Sequence, residues 1–175
     1  MCIFAKNPDM RIYLIGFMGC GKSSFGRRLA KKLGYAFVDL DAAIEEKAGK
    51  SIERVFSDNG EPVFRLLEQE VLHETADLSA TVIATGGGTP AFEDNMAFIN
   101  SHGISVYLRM SPVSIAHRLE NARKKRPLVE DRKGGELLEF IRGKLAEREK
   151  YYLQSHCIIK GETVKPDQVI SLVFG

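Results

Sequence analysis

The sequence predicts an α/β fold, a parallel β-sheet covered by helices on both faces. Three observations predict it. Short apolar runs recur along the chain, IYLI at 12–15, TVIAT at 81–85 and ISVYLR at 104–109; continuous rather than alternating apolarity marks strands buried on both faces. Segments with helical spacing separate these runs, and such alternation implies parallel strands. A glycine-rich loop, GFMGCGKSS at 16–24, joins the first run to the first helical segment.

Each element has a local reason. Residues 12–15 form the first strand. Phe25, Leu29 and Leu33 share one face of a helix over 22–33, and Gly34 suits its end. YAFVDLD at 35–41 reads as a second strand and DAAIEEKAG at 41–49 as a helix closed by glycine. SIERVFSDNG at 51–60 is a short helix with Ser51 as N-cap and Asn59-Gly60 as its stop. Pro62 then opens a longer helix through EPVFRLLEQEVLHETADL. TVIAT is a third strand, ISVYLR a fourth and HCII at 156–159 a fifth, and the chain is helical from about Pro166. ENARKKRPLVEDRKGGE at 120–136 has few apolar residues and two adjacent glycines, and is expected to leave the compact fold as a mobile excursion.

The 175 residues suit one domain, and 44% hydrophobic with 27% charged residues excludes disorder. A net charge of +2 gives no general attraction to nucleic acid. RKKRP at 123–127 stands among Glu120, Glu130 and Asp131, which weaken its field, so no nucleic-acid partner is expected. No apolar run reaches the length of a membrane span and the first ten residues lack a signal-peptide core, so no membrane partner is expected either. Cys2, Cys20 and Cys157 fit neither a zinc site nor a disulfide framework and point to a reducing, cytoplasmic setting. The four histidines do not cluster in the sequence. Residues 1–10 are expected to be an N-terminal extension, with Met10 an alternative start, and 11–175 a single domain.

GFMGCGKSS fits G-x-x-x-x-G-K-[ST], with Gly16, Gly21, Lys22 and Ser23 in the fixed places, between a strand and a helix as the motif requires. Its glycines let successive N–H groups, those of Gly19, Cys20, Gly21, Ser23 and Ser24 included, turn toward phosphate oxygens at a helix N-terminus. Lys22 reaches the β- and γ-phosphates and the Ser23 hydroxyl can ligate Mg²⁺, so a nucleoside triphosphate with Mg²⁺ is the expected ligand. Cys20 has two readings: a thiol activated by Lys22 and the helix N-terminus, or a small side chain tolerated where only its N–H matters.

Asp39 and Asp41, two residues apart, fall at the carboxyl end of the second strand, where open α/β sheets bind ligands. One carboxylate can hold Mg²⁺ through its water shell while the other accepts a hydroxyl proton. Asp41 has a second reading as N-cap of the next helix. Gly86, Gly87 and Gly88 follow the third strand; they either admit a ligand against bare backbone or form a turn. Arg65 precedes Glu68 by three residues, an ordinary helical ion-pair spacing, and Arg148 lies in the charged run AEREK. Tyr151 and Tyr152, after that run, read as packing residues.

Taken together, GFMGCGKSS, VDLDAAIEE, GEPVFRLLE, ATGGG, KKRPL and EREKYY resemble the shikimate kinases in order and approximate spacing, over residue 11 to the C-terminus. The resemblance implies a P-loop fold like that of nucleoside monophosphate kinases, with a five-stranded parallel sheet, a substrate-binding region at about 41–75 and a mobile lid at about 120–136. It implies transfer of the γ-phosphoryl of ATP to the 3-hydroxyl of shikimate, on the way to chorismate and aromatic amino acids, by a monomer. By the same resemblance Asp41 binds shikimate hydroxyls and is a candidate base, while Asp39 organises Mg²⁺. Arg65 and Arg148 grip the carboxylate, Glu68 supports that site, and Gly86, Gly87 and Gly88 flank the substrate. Arg126 is the lid arginine that closes on the phosphates, and Arg118 and Pro166 bracket adenine. Arginine suits the task because its planar donors match a carboxylate two-pronged. The alternatives are a related kinase such as one for gluconate, and a nucleotide-binding module without turnover. Intact Lys22, Ser23, Asp39, Asp41 and Arg126 weigh against the second. A GTPase would need N-K-x-D, which is absent.

Overall fold

The computed structural model describes residues 10–122, 129 and 132–175. Five parallel strands, β1 (Arg11–Ile15), β2 (Ala36–Asp39), β3 (Thr81–Ala84), β4 (Ile104–Arg109) and β5 (Cys157–Lys160), form one sheet in the order β2-β3-β1-β4-β5. The apolar runs take the middle places: Ile12 to Ile15 of β1 are wholly buried, and β4 is buried from Ile104 to Leu108. The edge strands β2 and β5 are only partly covered. The strand order reverses at β1, with β3 on one side and β4 on the other, and such a switch point opens a crevice at the carboxyl ends of the strands.

Helix α1 (Lys22–Leu33) follows β1 and ends at Gly34, whose left-handed φ of 73° is one a side chain resists. Gly26 inside it lets the helix press on the sheet: a Cβ there would lie 2.5 Å from the Phe37 ring and 3.0 Å from Leu14. After β2 comes α2 (Leu40–Ala48), closed by left-handed Gly49. The strand expected over 35–41 is therefore shorter. Asp39 is the last residue of the ladder, paired with Ala84, and caps α2, its Oδ1 accepting the Asp41 N–H at 3.2 Å, so Leu40 and Asp41 are helical. The capping role read for Asp41 belongs to Asp39.

Ser51 caps α3 (Ile52–Glu74), its Oγ accepting from Arg54 N at 3.2 Å. The two helices expected here meet within this span, divided where the sequence placed the stop. Gly60 breaks the helical geometry (φ 78°, ψ 172°), Pro62 starts the second half, and Phe56 and Phe64 pack across the bend with ring centroids 4.4 Å apart. The sheet then takes β3, followed by a short 3-10 turn at Thr89–Ala91, then α4 (Asn95–His102), β4, α5 (Pro112–Glu120), α6 (Gly134–Tyr152), β5 and α7 (Pro166–Phe174).

Of the excursion at 120–136, residues 123–128, 130 and 131 lie outside the described residues, and Arg126 with them. Its two ends meet, since Gly134 N–H donates to Glu120 Oε1 at 2.8 Å. The glycine pair read as part of a mobile stretch instead forms the first two residues of α6. Residues 1–9 also lie outside the described residues. Among those described, no helix is long and apolar enough to cross a membrane.

Candidate active site

The loop from Gly16 to Gly21 turns on three glycines with positive φ: Gly16 at 148°, Gly19 at 79° and Gly21 at 92°. Lys22 folds back over it, almost buried at 8% exposure. Its Nζ donates to the carbonyls of Gly16 (2.6 Å) and Phe17 (3.0 Å) and lies 3.8 Å from Cys20 Sγ. Inward-turned backbone at a helix N-terminus beside an ammonium group is an anion site. Ser23 is half-buried at the start of α1, and exposed Ser24 donates to Gly21 O at 3.0 Å. Cys20 is 2% exposed and packed against Gly16, which favours the small-side-chain reading of this position.

Arg118, expected beside adenine, lies against this loop. Its Nη1 donates to Cys20 O at 3.0 Å, and Leu119 beside it leaves no room for a Cβ on Gly19. Pro166 stands at the first position of α7, next to Asp167, which pairs with Lys32 of α1 at 2.5 Å.

The glycines at 86–88 are explained by three different neighbours. A Cβ on Gly86 would lie 2.6 Å from Glu68 Oε1, 2.8 Å from Thr89 Oγ1 and 3.2 Å from Asp41 Oδ1. One on Gly87 would lie 3.1 Å from Met18 N, in the phosphate loop, and one on Gly88 2.5 Å from Arg65 Nη1. The GGG segment is thus the seam where α3, the start of α2 and the phosphate loop converge.

Glu68 is 1% exposed. Its Oε2 accepts from Arg65 Nη1 at 2.6 Å and its Oε1 from Thr89 Oγ1 at 2.5 Å. Burial pushes its carboxyl above the ordinary range; Arg65 and Thr89 pull the other way, and Asp41 adds to the rise. Arg65 also donates from Nε (3.3 Å) and Nη2 (3.1 Å) to Glu61 Oε1. Burial alone disfavours its charge, but the two glutamates outweigh this and hold the guanidinium firmly ionised.

Arg65 and Arg148, from α3 and α6, line one cleft of about 610 Å³ together with Gly88, Glu61, Lys144 and Tyr151. That size suits a small molecule. Arg148 is seated over the Phe17 ring, 5.8 Å from its centroid. Asp41 stands outside this lining but beside Gly86 and Glu68. The arrangement can hold an anionic acceptor by two guanidinium groups, next to a loop built for phosphate. Asp39 and Ser23 offer only oxygen donors, which suits Mg²⁺.

Sequence reasoning missed several residues. Thr89, directly after the glycines, bonds Glu68, and Asn95 Nδ2 holds Thr89 O at 2.9 Å. Tyr152 is wholly buried and its hydroxyl donates to Gly87 O at 2.5 Å. Its reading as a packing residue holds, since its ring lies against that of Tyr107, but nothing local signalled the bond of its hydroxyl.

Comparison with known proteins fits this geometry. The family model for shikimate kinase matches residues 18–174. Among curated relatives, the shikimate kinase of Parabacteroides distasonis is 41% identical over 152 residues, 87% of this chain and 88% of the relative. Among solved structures, shikimate kinase from Bacteroides thetaiotaomicron superposes with a TM-score of 0.85 at 40% identity, covering 94% of both chains. Shikimate kinase from Acinetobacter baumannii in complex with shikimate gives 0.83 at 34% identity, covering 94% of this chain and 92% of that one.

Proposed function

The chain belongs to the shikimate kinase family, and from that premise we propose how its own residues carry the reaction. It is an ATP-dependent phosphotransferase acting on shikimate. The observation that carries the site assignment is the cleft shared by Arg65, Arg148 and Gly88, one glycine away from the phosphate loop.

Arg65 and Arg148 take the acceptor's carboxylate and fix its register, with Glu68 holding Arg65 in place. Gly86, Gly87 and Gly88 let the acceptor lie against the backbone. Asp41 orients the 3-hydroxyl and takes its proton as the oxygen attacks the γ-phosphorus. Gly19, Cys20, Gly21, Ser23 and Ser24 cradle the phosphates, and Lys22 swings from the carbonyls of Gly16 and Phe17 to the β- and γ-oxygens. Arg118 and Pro166 flank the adenine, and Arg126 closes on the transferring group. Asp39 and Ser23 would hold Mg²⁺, which when bound neutralises charge on the β- and γ-phosphates. Phosphoryl transfer passes through a loose transition state, so these residues act by positioning and charge rather than by covalent chemistry. The chain works as a monomer in the cytoplasm.

The test is ADP release from Mg-ATP with shikimate, gluconate and AMP in parallel, and with Asp41→Asn as control. Turnover with shikimate alone, lost in the variant, is the expected result. Turnover with another acceptor overturns the cleft assignment, and silence with all three alongside normal ATP binding overturns catalysis itself.

A further inference from the structure

Tyr152 lies in the last turn of α6, four residues after Arg148, and none of its side chain meets solvent. Its ring packs on that of Tyr107, with centroids 5.2 Å apart. A buried phenol needs a partner for its hydroxyl. Here the partner is the carbonyl of Gly87, sixty-five positions earlier in the chain, at 2.5 Å.

That bond fixes more than one oxygen. In a trans peptide the carbonyl and the following N–H point in opposite directions, and no peptide described here is cis. With Gly87 O held by Tyr152, the N–H of Gly88 is turned away from Tyr152. Gly88 lines the cleft with Arg65 and Arg148. Gly87 also stands against the phosphate loop, where a Cβ on it would lie 3.1 Å from Met18 N. Arg148, one turn earlier on α6, is a charged neighbour of the Tyr152 hydroxyl and has the Phe17 ring on one side of it. Burial pushes the pKa of the phenol up and the Arg148 guanidinium only partly offsets this, so the hydroxyl keeps its proton as a donor.

We infer that Tyr152 is a positioning residue for acceptor binding: its hydroxyl aims the Gly88 N–H and steadies Arg148 so that both meet one carboxylate. This rests on the assignment of the Arg65–Arg148 cleft to shikimate's carboxylate. Tyr152 touches neither substrate. It acts through the Gly87 peptide and through Arg148.

Tyr152→Phe keeps the ring and removes the donor. Initial rates are measured for it, for wild type and for Arg65→Ala, varying shikimate and Mg-ATP separately, with thermal unfolding of each. The expected result for Tyr152→Phe is a KM for shikimate raised about tenfold, the scale of one lost hydrogen bond, with the KM for ATP and kcat within about twofold. An analogue with the carboxylate reduced to an alcohol should bind wild type and Tyr152→Phe alike. An unchanged shikimate KM in Tyr152→Phe, with Arg65→Ala impaired, overturns the role of Tyr152 alone. A loss of stability and kcat without the selective rise in shikimate KM overturns it too, since that is a purely structural role. No effect of Arg65→Ala on shikimate KM overturns the cleft assignment instead.

Discussion

Arg65 and Glu68 form one charged unit rather than a surface ion pair: their side chains meet at 2.6 Å, with only 16% and 2% of them exposed. Exposed helical pairs contribute little, but breaking a buried pair strands a charge. Arg65→Ala removes a guanidinium from the cleft and leaves Glu68 without its cation. The expected loss in shikimate binding is roughly 2–5 kcal/mol, with stability also reduced. Arg65→Lys should restore part of the stability but little of the affinity, since an ammonium group cannot present the planar fork. Titration calorimetry with shikimate checks this, and unchanged affinity in Arg65→Ala removes Arg65 from the site.

Gly88→Ala tests the same guanidinium from the other side. Gly88 has ordinary right-handed backbone (φ −95°, ψ −19°), so alanine brings no backbone strain. It brings a Cβ 2.5 Å from Arg65 Nη1, and Arg65, the end of a flexible side chain, must move. The variant should fold with near-normal stability and show a shikimate KM raised about tenfold, equivalent to ~1.4 kcal/mol. Gly86→Ala should behave differently. Its Cβ meets Glu68 and Thr89, both buried, so the cost falls on stability at roughly 1–3 kcal/mol. Kinetics and denaturant unfolding of the two variants separate these outcomes; equal loss of stability in both contradicts the argument.

What was legible in the sequence was what local chemistry decides. Gly34, Gly49, Ser51, Gly60, Pro62 and Pro166 stand where turn and cap preferences put them, and the phosphate loop carries its glycines in a fixed pattern. The capping reading offered for Asp41 fell to Asp39 instead, because either aspartate can cap a helix and the choice goes to whichever residue ends the ladder beside β3. The glycine triplet was legible as a demand for space but not as three demands from three directions. The bonds of Thr89 and of the Tyr152 hydroxyl and the start of α6 were illegible, since their partners lie far along the chain or depend on how the excursion closes.

Glu68 gives a pH dependence of known sign. Burial raises its carboxyl above the ordinary value despite Arg65, so the folded chain holds that proton more tightly than the unfolded chain does. Stability from this group is present in full below the ordinary carboxyl range. It is lost as pH rises through the higher folded value. Glu68→Gln is neutral throughout and lacks this slope. The stability of wild type minus that of Glu68→Gln should therefore fall as pH rises above the ordinary carboxyl range, measured by urea unfolding. A difference that grows with pH means that the attraction of Arg65 outweighs burial and reverses the sign.

Lys22 separates the phosphate loop from the acceptor cleft. Its ammonium group is nearly buried and is held by the carbonyls of Gly16 and Phe17. Methionine fills much the same volume without charge. Lys22→Met leaves those carbonyls without a donor, a cost of about 1 kcal/mol in stability. It also removes the cation that meets charge building on the transferring phosphoryl group, which should lower kcat on the order of 10²–10³-fold. Binding of shikimate alone should change little, because Lys22 is not part of the cleft lining. Single-turnover rates with Mg-ATP and calorimetry with shikimate decide it. Near-normal turnover would show that the backbone cradle alone carries the nucleotide, while loss of shikimate binding would show that the loop shapes the cleft through Met18 and Gly87.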